Sequence, residues 1–265
     1  MMYTLDNPPT LPVLYRDESI VVVSKPAQML VHRTEIANGD TVFAVQCVRN
    51  QTGRRVWPVH RLDRGTSGVL VFAFDAETAG SLGKSLMAGD VGKRYTAITR
   101  GWITDPVRVD HALVPPVDPY LKNRKTQAQE ASTILTPVAA REVPVKTGTF
   151  ETTRLGVVSA ELLTGRRHQI RRHLKWVAHP IVGDATYGKG PLNRALAAYF
   201  GVDRLMLHCD RMRFAHPKTG EVLDISAPYE ERMAKVLMRI DALDEAQRWA
   251  ARGWTPVPDG IAVLA

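Results

Sequence analysis

His60-Arg61-Leu62-Asp63-Arg64-Gly65-Thr66-Ser67-Gly68 runs without a break into Val69-Leu70-Val71-Phe72-Ala73-Phe74. The second part is a short apolar run opened by a glycine, so it reads as a buried strand. The first part sets one carboxylate between two guanidinium groups on a turn-rich loop. Gly65 and Gly68 permit backbone conformations closed to other residues, and Thr66 and Ser67 can hydrogen-bond back to the loop. A carboxylate fixed on such a loop suits a nucleophile or a general base. It suits equally an Asp-Arg-Gly turn that only satisfies local amides, and these residues alone leave both readings open.

Around this loop the chain alternates strands with a few helices. Upstream, residues 1–12 are proline-rich and read as a loosely held arm, and residues 19–24 form a buried strand stopped by Lys25-Pro26. Thr41 is placed to cap a helix carrying Val42, Val45, Gln46 and Val48. Downstream, Asp75 is a fitting cap for a helix through Leu82 and Leu86 that Gly89 and Gly92 end. Residues 93–101 alternate as a strand, with Tyr95, Ala97 and Thr99 on one face. From 105 to 153 the pattern loosens into hairpins and loops. A strand returns over 155–163, a helix over 164–177, and a strand over 204–214. The turn at 216–221 leads into a strand over 222–225. Met233, Val236, Leu237, Ile240 and Leu243 recur at helical spacing and predict one amphipathic terminal helix. Many strands in hairpin order with few helices argue for an α+β fold.

The chain has 265 residues, 45% of them hydrophobic and 23% charged, which is the composition of an ordinary globular protein. No run of about eighteen apolar residues suggests a membrane span. The N-terminus lacks the basic flank and apolar block of a signal peptide, so a cytoplasmic protein is expected. The two cysteines, Cys47 and Cys209, are too few for a disulfide framework and lack metal-site spacing. The histidines at 168, 173 and 179 do not share a helical face, and no phosphate-binding glycine loop is present, so neither a metal nor a cofactor is expected. A net charge of +8 favours a polyanionic partner.

Much of that charge is concentrated in Thr164-Gly165-Arg166-Arg167-His168-Gln169-Ile170-Arg171-Arg172-His173-Leu174-Lys175. With Thr164 as cap, Ile170, Leu174 and Val177 would line one helical face. Arg167, Arg171 and Lys175, spaced by four, would stack along a neighbouring face. Such a stripe reads either as a solvated basic face or as a nucleic-acid contact.

The loop around Asp63 and the Thr-Gly-Arg-x-His-Gln-Ile-Arg block together resemble the RluA-type pseudouridine synthases. Further similarity lies in Ser24-Lys25-Pro26, Lys93-Arg94-Tyr95, His179-Pro180-Ile181-Val182-Gly183-Asp184 and Leu205-Met206-Leu207-His208. It covers roughly residues 14–228, against an arm at 1–12, a catalytic domain at 13–228, and a terminal helix and tail at 229–265 packed on the same domain. The resemblance implies a mixed, largely antiparallel bent sheet with flanking helices and loops around a central cleft. It implies an enzyme, expected as a monomer, that isomerises a uridine of RNA to pseudouridine without metal or cofactor.

On that resemblance Asp63 is the catalytic aspartate, Arg171 pairs with it, and Tyr95 packs on the uracil and is the candidate to accept a proton. Arg61 would enter the space left by the flipped nucleotide, and Ile170 would wall the pocket. Arg167, Arg172 and Lys175 are phosphate-contact candidates. Pro144-Val145-Lys146-Thr147-Gly148, Thr152-Thr153-Arg154, the doubled Arg171-Arg172 and Phe200-Gly201-Val202 look most like one tRNA-modifying branch, which acts on uridine 65 of the TΨC stem. Ribosomal RNA is the alternative substrate. A non-catalytic RNA-binding protein or RNA chaperone, and a hydrolase using Asp63, are the rival classes, although no second acid is placed for hydrolysis.

Overall fold

A computed structural model describes residues 8–33, 42–115, 127–254 and 260–265 of the chain. In chain order the elements are β1 (Val13–Arg16), β2 (Ile20–Lys25), α1 (Ala44–Thr52), β3 (Trp57–Pro58), β4 (Ser67–Ala73), α2 (Ala76–Ala88), β5 (Gly92–Arg100), β6 (Val107–Asp110), β7 (Ser132–Val143) and β8 (Thr153–Leu162). There follow α3 (Gln169–Trp176), α4 (Gly190–Phe200), β9 (Leu207–Ala215), β10 (Val222–Ser226), α5 (Glu231–Arg239), α6 (Leu243–Ala251) and β11 (Ala262–Leu264). The chain divides into two compact units, residues 1–93 with 207–233, and residues 94–206 with 234–265. The mixed, largely antiparallel α+β architecture read from the sequence is the one found.

In the first unit β2 pairs antiparallel with β1 and β4, and β9 pairs antiparallel with β10. β4 and β9 run parallel through two residue pairs, Ser67 with His208 and Gly68 with Cys209. Every residue of β4 is buried, as expected of an apolar run covered on both faces. Gly68 has φ +113°, and a Cβ there would lie 2.1 Å from the Cys209 carbonyl oxygen, so only glycine allows this approach. Lys25 is fully buried because its ammonium donates to the carbonyls of Pro26 and Met29, both at 2.8 Å. Asp75 caps α2 as expected, accepting from the Thr78 amide at 2.6 Å, and Gly89 closes the helix in the left-handed region. Thr41, the expected cap of α1, lies outside the described residues. Phe43 stands at that cap, its amide donating to the Gln46 side chain at 3.0 Å. Residues 1–7 of the arm also lie outside. Its end is held, since Leu11 is buried and exchanges two backbone hydrogen bonds with the Gln51 carboxamide.

In the second unit β5, β8, β7 and β6 pair antiparallel in that order, and β11 adds to β6 in parallel. The loosened region proves more regular than expected. β7 runs twelve residues through Pro137, and the register shift between Pro137 and Ala139 absorbs the missing amide hydrogen. The terminal helix is two helices, α5 and α6, because Asp241 turns into the left-handed region at φ +52°. α4 had no counterpart in the sequence reading. Residues 204–206 precede β9 rather than belonging to it.

Candidate active site

The Asp63 loop is anchored at both ends. At its start the Val59 amide donates to the Val71 carbonyl at 3.0 Å, and the Val71 amide donates to His60 Nε2 at 3.2 Å. Accepting there requires a neutral imidazole. Burial, with the charge of Lys93, lowers the His60 pKa to about 3. Leu62 is buried between Arg61, which is exposed, and Asp63, which is half-buried. The Thr66 amide then closes a turn on the Asp63 carbonyl at 3.0 Å, and Thr66 itself is buried. Arg64 faces outward. The loop therefore has its backbone fixed around Asp63 while Arg61 and Arg64 are exposed on either side, and a fixed backbone is what a reacting carboxylate needs.

The basic block folds differently from expectation. α3 starts at Gln169, not Thr164, and its cap is His168 in the left-handed region at φ +57°. The reason is the Gln169 side chain. Its oxygen accepts from the Thr164 hydroxyl at 2.8 Å and the Arg166 amide at 2.9 Å, and its nitrogen donates to Ser132 O and Thr133 Oγ1, both at 2.9 Å. These bonds curl residues 164–168 into a turn. Arg167 therefore sits before the helix, exposed, and does not stack with Arg171 and Lys175. Ile170 and Leu174 are buried on the apolar face as expected, and Lys175 is exposed. Arg172 donates to the Val114 carbonyl at 2.9 Å.

Arg171 has a partner the sequence reading missed. Its Nε and Nη2 donate to Asp184 Oδ2 and Oδ1 at 2.7 and 2.9 Å, a two-pronged pair in which Asp184 is fully buried. The amides of Thr186 and Tyr187 both donate to Asp184 Oδ1 at 2.9 Å. Burial pushes the Asp184 carboxyl up, but Arg171 and these amides outweigh it and hold its pKa below the ordinary value. The turn around Asp184 is itself fixed: Val182 donates to Ile98 of β5, Met206 donates to Val182, and a Cβ at Gly183 would lie 1.9 Å from the Arg204 carbonyl oxygen. Tyr187 lies over the Arg171 guanidinium at 5.1 Å and is hydrogen-bonded to His168 Nδ1 at 3.0 Å. Asp184 stands at the end of the His179–Asp184 stretch, but nothing in its spacing from Arg171 marks the pairing.

Tyr95 is 7% exposed on β5, opposite Ala160 of β8. Its neighbour Arg94 is structural: its guanidinium is buried against the carbonyls of Ala250 and Arg252, at 2.7 and 3.1 Å, at the end of α6. Of the residues singled out in the sequence, Arg61 and Asp63 thus share one loop of the first unit. Ile170, Arg171, Arg172 and Lys175 share α3 in the second, where Tyr95 lies on β5. Among the described residues no group of three His, Cys, Asp or Glu side chains could hold a metal ion. Among them, too, no helix is long and apolar enough to cross a membrane.

Residues 19–176 match the family model described as RNA pseudouridylate synthase. The tRNA pseudouridine synthase C of Vibrio vulnificus is 41% identical over 234 residues, 87% of this chain and 96% of that protein. The protein of the same name from Vibrio cholerae is 43% identical over 225 residues, 83% of this chain and 92% of its own. Among solved structures, human RNA Pseudouridylate Synthase Domain Containing 1 superposes with a TM-score of 0.67 at 24% identity. It covers 94% of this chain and 97% of its own, a likeness of fold.

Proposed function

The chain belongs to the RNA pseudouridylate synthase family and is an RNA pseudouridine synthase, and we propose that its substrate is tRNA and its target uridine 65 of the TΨC stem. The observation that supports tRNA as substrate is the 41% identity spanning 87% of the chain to a relative named tRNA pseudouridine synthase C, and the choice of uridine 65 rests on the resemblance of the motifs at 144–148, 152–154, 171–172 and 200–202. The reaction breaks the bond between C1′ and N1, turns the uracil, joins C1′ to C5, and moves the C5 proton to solvent while N1 gains one. Neither C1′ nor C5 can be reached in a stacked helix, so the nucleotide must leave the stack at a cost of a few kcal/mol.

In this reading Asp63, half-buried on a loop whose backbone is hydrogen-bonded on both sides of it, acts on the extruded uridine as nucleophile or base. Arg61, exposed two residues earlier, fills the vacated stack by its planar guanidinium. Arg171, held by Asp184 through its Nε and Nη2 edge, is the cation that this reading pairs with Asp63. Tyr95 packs on the uracil and accepts a proton late in the reaction, and Ile170 walls the pocket. Arg167, Arg172 and Lys175 bind phosphates.

Tritium release from tRNA carrying 5-tritiated uridine tests the assignment. Asp63→Asn is expected to release none above background while binding tRNA with wild-type affinity; turnover by that variant would overturn the role of Asp63. Release of free uracil would indicate a hydrolase, and binding with neither product an RNA chaperone. Mapping pseudouridine in tRNA and ribosomal RNA from a deletion strain tests the target, and loss confined to ribosomal RNA would refute tRNA.

A further inference from the structure

Ser67 lies four residues after Asp63 and is wholly buried. Its hydroxyl is 2.8 Å from Nδ1 of His208, also wholly buried, on the parallel strand β9. The other ring nitrogen of His208 faces the Ala227 carbonyl oxygen at 3.3 Å. A carbonyl only accepts, so Nε2 carries a hydrogen, and in the neutral form of the ring Nδ1 accepts a hydrogen bond from the Ser67 hydroxyl.

Its position gives it a consequence for Asp63. The Thr66 amide closes a turn on the Asp63 carbonyl, and Ser67 is the next residue. Little slack remains between the aspartate and the serine, because consecutive Cα atoms are only about 3.8 Å apart. β4 and β9 meet in two residue pairs, and Ser67 with His208 is the one at the loop end. Gly68 at the other pair has no clearance from Cys209. Any relaxation at the β4–β9 junction is therefore passed into the Asp63 turn.

We propose that Ser67 and His208 are positioning residues for the reaction, a buried hydrogen-bonded pair that sets the place of the Asp63 carboxylate without touching RNA. The inference rests on the reading of Asp63 as the catalytic group. A displacement near 1 Å at a reacting group costs about 100-fold in rate.

The test compares Ser67→Ala, His208→Ala, His208→Asn and the double alanine variant by tritium release from tRNA, each at a temperature where it is folded. Ser67→Ala and His208→Ala are expected to lose about 10- to 100-fold in kcat, with KM and tRNA affinity within about twofold of wild type. His208→Asn, whose carboxamide oxygen can accept from Ser67, should recover most of that loss. The double variant should be no slower than the worse single one, because both remove the same bond. Wild-type kcat in Ser67→Ala, or a loss shared equally between kcat and tRNA affinity, would overturn the proposal. Asp63→Asn run alongside separates the two readings: turnover by that variant would defeat the assignment of Asp63 itself, whatever the Ser67 variants do.

Discussion

Replacing Asp184 by Asn removes a charge from a fully buried site while keeping the side-chain shape. The carboxylate accepts from Arg171 Nε at 2.7 Å and Nη2 at 2.9 Å, and from the Thr186 and Tyr187 amides at 2.9 Å each. An Asn can keep its oxygen toward the two amides and Nη2, but its NH2 group then faces the Nε–H of Arg171, donor against donor. The guanidinium, itself only 10% exposed, loses its counter-ion. Breaking a buried pair from one side costs about 3–5 kcal/mol, and in a chain of this size that corresponds to a fall in Tm of about 10 °C. Because folding lowers the Asp184 pKa, its stabilisation is present above the unfolded carboxyl pKa of about 3.9 and is lost as the pH falls through the folded value. The gap between wild type and Asp184→Asn, measured by thermal unfolding, should therefore be full at pH 7 and narrow below about pH 4. A variant that melts within a degree of wild type at pH 7 would refute the argument. So would a gap that does not change with pH.

Other perturbations follow from single contacts. Gln169→Leu removes four hydrogen bonds, and the Thr133 and Thr164 hydroxyls and the Ser132 carbonyl are left with only their contacts to His173, the Ser132 amide and the Leu163 amide, so a loss of about 2–4 kcal/mol is expected in urea unfolding; a loss below 1 kcal/mol would mean that water replaces the carboxamide. His60, with a folded pKa of about 3, takes up no proton in the folded state while the unfolded chain binds one below about pH 6.5. Stability should accordingly fall with acid across that window, and His60→Gln should flatten the slope by up to about one proton; an unchanged slope in urea titrations between pH 7 and 4 would exclude it. Lys175→Ala and Arg167→Ala should each weaken tRNA binding and reduce the slope of log affinity against log salt by about 0.7–0.9. A variant with the wild-type slope contributes no phosphate contact.

What could be read from the sequence is what depends on near neighbours. The β4 run, the Asp75 cap, the β5 alternation and the turn at 216–221 are each decided within a few residues. The misreadings have longer-range causes. Thr164 has the side chain of a good cap, yet its hydroxyl is taken by Gln169 and its oxygen by the amide of Ser132, thirty-two residues away. Pro137 argues against a strand until a bulge is allowed for, and no composition signal marks the bulge. The terminal periodicity continues smoothly across Asp241, whose left-handed backbone breaks it. Asp184 stayed hidden because its partnership with Arg171 depends on Gly183 passing against Arg204, a contact no spacing rule foresees.

The positive charge shows the same limit from another side. A net +8 suggests a surface made for polyanions, but part of the arginine is committed to the interior. Arg94 is 2% exposed, Arg204 3% and Arg171 9%. Arg94 binds the end of α6, Arg204 the Leu205 carbonyl, and Arg171 the Asp184 carboxylate. These guanidiniums satisfy protein oxygens and, being buried, release no counter-ions when RNA binds. The exposed cations, Arg61, Arg167 and Lys175 among them, are the ones that can. The salt dependence of tRNA binding should therefore follow the number of exposed cations that meet phosphate and fall well short of what the count of 35 lysines and arginines would suggest.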